Sequence, residues 1–296
     1  MSTDPLVRLA LNGDTMGTRY SVIAYVEPSM DGQVLRRKLH RSVSHVDAVM
    51  SNWKPDSGIS RLNRAPLDQW IALPESLIHV LETALTIEAQ SNGAFDIGVG
   101  ADVAKWGFGP FAGKVTGAGG PRPITRQTLE LDRSGQRARK HAPLSLDLSG
   151  IAKGYGVDRL GEVLKAEGLS HWLAGIDGEL RAGGPKPDGT LWAVGLEQPL
   201  IGKRELSGVI EIGEMAVATS GTYRHCRDVG GRMISHTIDP ATGEPVQSKP
   251  ASVTVLAPTC MEADAWATAI LVDGFWPPKG FAAPPRTDAI LLGEGG

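Results

Sequence analysis

The chain has 296 residues, 41% of them hydrophobic and 21% charged, with a net charge of −3 and two cysteines. That composition can fill a sizeable core, leaves no electrostatic footprint for nucleic acid, and contains no apolar run of about 18 residues to span a membrane. Cys226 and Cys260 match neither a zinc spacing nor a CxxC pair, so they read as ordinary thiols.

Val7 to Leu11 and Tyr20 to Val26 read as strands joined through Gly13-Asp14 and the Met16-Gly17-Thr18 turn. Val34, Leu35, Leu39, Val43, Val46, Val49 and Met50 form a helical stripe, which stops before the polar loop Ser51 to Gly58 carrying Trp53. A second helix follows from Pro74, a favourable first-turn residue, and closes near Gly93, directly ahead of Ala94-Phe95-Asp96. Gly107 to Pro123 is rich in glycine and proline and predicts a loop.

From Leu144 to Gly168 the pattern changes from period two to helical spacing. Leu144, Leu146 and Leu148 alternate with Ser145, Asp147 and Ser149 as in a half-buried strand. Tyr155, Val157, Leu160, Val163 and Leu164 then predict a helix, with Ser149 placed to cap its start and Gly168 to end it. Such a helix start can receive a phosphate, and Lys153 adds a full positive charge in its first turn.

Beyond this unit, Trp172 to Ala182, Leu191 to Glu197, Val209 to Ile212 and Met215 to Thr219 read as short strands broken by Asp177-Gly178, Asp188-Gly189 and Gly213. His236-Thr237-Ile238-Asp239-Pro240 leads into a turn at Ala241-Thr242-Gly243. His236 is either a polar strand residue or a group that exchanges a proton near neutral pH. Thr259 and Glu262 form a capping box, so a closing helix is expected from about Cys260. Asp264 and Thr268 share one face of it and offer hard oxygens suited to Mg²⁺. A solvent-facing polar pair is the alternative, although the neighbours Ala263, Ala265, Trp266, Ala267, Ile270 and Leu271 place the pair in the interior or a cleft. A last strand is expected at Asp288 to Leu292. No repeat, charge run or long polar linker divides the chain, which predicts an α+β protein of one interwoven, two-lobed domain over residues 1–296, with mixed sheets and flanking helices.

The segments GDTMGT, SNWKPDSGISRLN, GAFDIGVG, LDLSGIAKGYGVD, SHTIDPATGEPV and DAWATAI come in an order that resembles the ApbE family, the FAD:protein FMN transferases, from about Met16 to Gly274. The resemblance implies an ApbE-like fold and a Mg²⁺-dependent enzyme that passes the FMN half of FAD to a threonine or serine hydroxyl of an acceptor protein, releasing AMP. It implies Asp264, Thr268 and the Gly150 carbonyl as metal ligands, Lys153 with adjacent amides at the phosphate, and His236 in proton transfer. Met16, Trp53, Ala94, Phe95, Asp96, Asp147 and Ile238 would shape the FAD cleft, Trp53 by stacking and Ile238 through its backbone. An FAD pyrophosphatase yielding FMN and AMP and a non-catalytic FAD-binding protein stay open.

Many relatives in this family are exported lipoproteins, whereas the segment Met1 to Gly17 has no basic n-region, apolar h-region or early cysteine. The expectation is a cytoplasmic protein as given, or an exported one if a leader has been removed. Phe275 to Thr287 carries four prolines where relatives tend to have more helix. Acceptors of the family carry an Asp-rich start followed by Ser/Thr-Ala-Thr; Asp264 to Ile270 comes near this pattern but ends in Ile270.

Overall fold

Strands Val7–Thr15 and Thr18–Val26 pair antiparallel across a two-residue turn in which Met16 (φ 48°) and Gly17 (φ 72°) are both left-handed. A turn of this hand follows the twist of the strands it joins, which is why glycine stands at its second position. Gly13 and Asp14 lie inside the first strand rather than in a connection. Gly13 faces Tyr20, and a Cβ there would come within 2.6 Å of the tyrosine ring.

The computed structural model describes residues 5–110, 112, 122–200, 202–203, 205–224, 226–229, 231–247, 250–277 and 282–293. It is a mixed helix and sheet protein, as the sequence pattern predicts. The hairpin opens a seven-stranded sheet whose spatial order is the chain order: Val7–Thr15, Thr18–Val26, Trp172–Ile176, Glu179–Gly183, Ala216–Gly221, Ser252–Ala257, Asp288–Leu292. Every pairing is antiparallel.

Helices Gly32–Met50, Ala152–Ala166 and Cys260–Asp273 cover one face. Leu35, Leu39, Val43, Val157, Leu160 and Leu164 bury Val22, Ala24, Trp172 and Ala174, while Ala263, Ala267 and Ile270 share a core with Ala218, Val253 and Val255. The opposite face places Leu173, Leu180 and Val217 under a hairpin, Trp192–Glu197 with Leu206–Ile212, through Trp192, Val194 and Ile212. A further layer joins the same core, built from helices Gly58–Arg64 and Glu75–Gln90 and a small sheet of Ile71–Ala72, Arg137–Lys140 and Leu129–Asp132.

Several boundaries differ from the sequence reading. Leu144 to Leu148 is extended, with all three leucines buried, but it forms only an isolated bridge from Ser145 to Val99. Its backbone partners come from one side by main chain and from the other by a side chain: the Asp147 N–H donates to the Ile97 carbonyl at 2.7 Å and the Ser145 carbonyl accepts from the Gly100 N–H at 2.9 Å, whereas Asn63 Oδ1 accepts from the Leu146 N–H at 2.7 Å and Asn63 Nδ2 donates to the Leu146 carbonyl at 2.9 Å. Ser149 does not cap the next helix; the N-cap is Ile151, without a side-chain bond of its own. Gly168 (φ 76°) closes that helix as expected, with the Leu169 N–H returning to the Leu164 carbonyl. Pro74 stands at the N-cap, one position before the first turn.

The closing helix begins at Cys260, where the Thr259 hydroxyl accepts from the Glu262 N–H at 3.2 Å. It stops at Gly274 (φ 80°), and residues 275–277 and 282–287 are irregular, as the prolines suggest. Within Gly107 to Pro123, residues 107–110, 112 and 122–123 carry no helix or strand; the remainder of that predicted loop lies outside the described residues, as do residues 278–281. Among the described residues no helix is long and apolar enough to cross a membrane.

Candidate active site

The start of helix Ala152–Ala166, the middle of helix Cys260–Asp273 and the loops after helices Gly32–Met50 and Glu75–Gln90 surround one cavity of about 670 Å³. That volume lies in the range of small-molecule and cofactor sites. Met16, Trp53, Ala94, Phe95, Asp96, Asp147, Gly150, Lys153, His236, Ile238, Asp264 and Thr268 all line it. The sequence reading therefore named residues far apart in the chain that the fold brings to one place.

Asp264 and Thr268 lie one turn apart on the closing helix. Asp264 is buried, and its Oδ2 accepts the Gly154 N–H at 2.9 Å. Gly154 is the third residue after the N-cap, so Asp264 makes from another helix the bond that a capping side chain would make locally. The approach needs glycine: a Cβ at Gly154 would sit 2.2 Å from the Cys260 carbonyl oxygen and 2.8 Å from Asp264 Cβ. Burial, reinforced by the nearby Glu179 carboxylate and opposed by Lys153, pushes the Asp264 carboxyl above the ordinary range. Thr268 Oγ1 lies 3.3 Å from Ser220 Oγ. The Gly150 backbone comes so close that a Cβ on it would be 3.1 Å from Thr268 Oγ1 and 3.3 Å from the Phe95 ring.

Lys153 is engaged rather than free. Its Nζ is 2.5 Å from Glu179 Oε1 and 3.7 Å from Asp177 Oδ2. Burial works against the ammonium, yet the Glu179 and Asp264 carboxylates outweigh it and hold its pKa above the usual lysine value. Glu179 is itself buried, and its Oε2 accepts the Gly178 N–H at 3.1 Å.

Asp96 is a supporting group more than an open contact. Its Oδ1 accepts from the Gly98 N–H at 2.7 Å and the Thr125 hydroxyl at 2.6 Å, and its Oδ2 pairs with Arg122 at 2.9 Å. Asp147 Oδ1 accepts the Ser149 N–H at 2.8 Å, an Asx turn that shapes the floor of the cavity. Phe95 is buried, with its N–H on Ser91 Oγ, whereas Trp53 stands 72% exposed at the rim. Ile238 is buried in a two-residue pairing with Pro245. His236 is half-buried, its ring edge-on to Phe108 with centroids 6.3 Å apart.

Sequence reasoning missed Glu179, Asp177, Ser220 and Arg224, which line the same cavity. Asp177-Gly178 was visible as a turn but carried no sign of a lysine partner, and Arg224 is held from outside by Glu197 at 2.8 Å. Cys226 and Cys260 are both free thiols, Cys260 buried, as their spacing predicts.

The model of the ApbE family matches residues 16–290. The chain is 35% identical over 276 residues to the FAD:protein FMN transferase of Vibrio cholerae, covering 91% of this chain and 83% of that protein. It is 34% identical to the Klebsiella pneumoniae protein of the same name, over 89% of this chain and 78% of that one. Its fold superposes on the flavin transferase ApbE structure from Vibrio cholerae with a TM-score of 0.83, covering 97% of this chain and 94% of that chain at 32% identity. With the matched span running from the hairpin turn at Met16 through the cavity lining and helix Cys260–Asp273 into the last strand, the chain belongs to the ApbE family.

Proposed function

We propose that this protein is an FAD:protein FMN transferase that binds FAD in the 670 Å³ cavity, passes FMN to a threonine or serine hydroxyl of an acceptor protein and releases AMP. The observation that carries this reading is the convergence of the motif residues of six separate segments on that single cavity. Names of relatives support the same activity.

Mg²⁺ is part of the proposal. Asp264, Thr268 and the Gly150 carbonyl form an all-oxygen donor set suited to a hard cation. The fit is supported by the absent side chain of Gly150, which leaves its backbone beside Thr268 Oγ1, and by the buried Asp264 carboxyl lining the same cavity one turn away. Bound there, the ion would neutralise phosphate charge and polarise the attacked phosphorus.

The remaining work falls to the chain's own groups. A lysine ammonium has three donors, so Lys153 can keep its Glu179 bond and still offer N–H groups to a phosphate oxygen. Trp53 presents an exposed ring for stacking at the rim, and Phe95 with Ile238 supplies apolar walls that keep water from the isoalloxazine. His236 takes the proton of the acceptor hydroxyl as general base.

The test is mass spectrometry after mixing the protein with FAD, Mg²⁺ and a candidate acceptor. Covalent FMN on the acceptor with AMP released supports transfer. Free FMN and AMP without labelled acceptor would instead make the protein a pyrophosphatase, and unchanged FAD would leave it a binding protein.

A further inference from the structure

The segment that carries His236 runs on into the turn 240–243, and that turn is fastened to the wall of the cleft by two long-range bonds. Arg122 Nη2 donates to the Pro240 carbonyl at 2.9 Å, while Arg122 Nη1 lies 2.9 Å from Asp96 Oδ2 and Nε 3.9 Å from Asp102 Oδ2. Three residues further along the turn, Trp106 Nε1 donates to the Gly243 carbonyl at 2.9 Å. Gly243 (φ 69°) comes close enough that a Cβ on it would be 3.1 Å from Asp102 Oδ1.

A guanidinium is planar and rigid, so touching two groups at once sets the distance between them. Here Nη2 hydrogen-bonds the His236 segment at Pro240, while Nη1 is ion-paired with Asp96 of the cleft wall without making a hydrogen bond to it. Asp96 cannot drift, because Gly98 and Thr125 hold its other oxygen. Arg122 is mostly buried, with 21% of its side chain exposed, so water competes weakly for these contacts.

We propose that Arg122 is a positioning residue for His236, with Trp106 as its second anchor: together they fix the imidazole relative to the FAD cleft. The inference rests on the transferase reading above for its catalytic consequence, though not for its structural one. An ångström of misplacement in a reacting group costs on the order of a hundredfold in rate. Loss of the guanidinium should therefore lower turnover without emptying the cleft.

The experiment compares Arg122→Met, Arg122→Lys and Trp106→Phe with the parent. Arg122→Met is expected to lower kcat for FMN transfer by about tenfold or more while the FAD KM moves less than twofold, and Arg122→Lys, which keeps charge but not the planar guanidinium, should recover part of the loss. In parallel, ¹H–¹⁵N spectra of histidine-labelled protein without FAD, with His236 assigned through His236→Gln, should show its imidazole signals displaced in Arg122→Met and Trp106→Phe. A loss that appears only in KM, or unmoved His236 signals in folded variants, would overturn the assignment. If Arg122→Met does not fold, Trp106→Phe, which deletes a single N–H, carries both readouts. A parent that transfers no FMN would sink the transferase reading, while the imidazole signals would still decide the tether.

Discussion

Asp158 and Asp264 each cap the helix on which the other sits. Asp264, four residues beyond Cys260, accepts the Gly154 N–H; Asp158, four residues beyond Gly154, accepts the Cys260 and Met261 N–H groups at 2.9 Å each. The exchange locks the starts of the two helices side by side. It thereby fixes the height of Asp264 and Thr268 against Gly150 and Lys153.

Asp158 should matter to stability more than to chemistry. It is buried and paired with Arg181, and burial pushes its carboxyl up in spite of that partner. Asp158→Ala leaves two helix N–H groups and a mostly buried guanidinium without their acceptor, and should cost about 3–5 kcal/mol in urea unfolding. Asp264→Ala strips one N–H of its partner and should cost clearly less. Equal midpoints for Asp158→Ala and the parent would refute the reciprocal cap.

The proposed metal pair predicts an asymmetry in activity. Asp264→Ala removes the side-chain charge of the donor set and should lower FMN transfer about a hundredfold at saturating FAD. Thr268→Val keeps the shape, loses one neutral oxygen together with the Ser220 contact, and should lose less. Raising Mg²⁺ should partly restore the threonine variant alone. Folded Asp264→Ala with the parent rate and the parent Mg²⁺ dependence would show that the pair is only a polar stripe.

The chain should not flavinylate itself at Thr268. Although the residues around it come near an acceptor pattern, Thr268 sits inside helix Cys260–Asp273, half-buried, with its hydroxyl on Ser220. Incubation with FAD and Mg²⁺ should leave the intact mass unchanged, and an FMN-sized increase mapped to Thr268 would contradict this.

Glu88 gives a pH signature away from the proposed ligands. It is buried, and burial together with Asp96 lifts its pKa to about 7, against the pull of Arg126 at 3.2 Å. The folded state then holds a proton that the unfolded chain releases above its ordinary value near 4.5. Stability should therefore fall as pH rises through the window from about 4.5 to 7, by up to about 3 kcal/mol from this group. Glu88→Gln should flatten that part of the stability–pH curve, and an identical slope in variant and parent would rule the group out as its source.

The features legible in the sequence were those written in local pattern. The stripe ending at Met50, the Thr259-Glu262 cap and the strand at Asp288 fall where periodicity and capping chemistry place them. Ser252–Ala257, a strand not among those expected above, carries an equally local alternation at Ser-Val-Thr-Val. Leu144 to Leu148 has the alternation of a strand, but its partners are the backbone of residues 97 and 100 on one side and, for Leu146, the Asn63 amide over 80 residues earlier on the other, which no local pattern announces. The same holds for the cap of helix Ala152–Ala166: Ser149 stood at the right spacing, yet a carboxylate 110 residues away from Gly154 makes the bond. The ordered motifs name residues that line one cavity, whereas the contacts of Glu179 and Arg122 exist only after folding.

The sheet's chain-order topology also sets a timetable for synthesis. Thr18–Val26 pairs with Trp172–Ile176, so the N-terminal hairpin waits while roughly 145 further residues are made before its inner neighbour arrives. At about 5–20 residues per second, Val22 and Ala24 stay without that strand for about 7–30 s on the ribosome. A nascent chain with an open edge next to apolar side chains is a natural client for a holding chaperone during that interval, and slowing translation between Val26 and Trp172 should raise the fraction lost to aggregation.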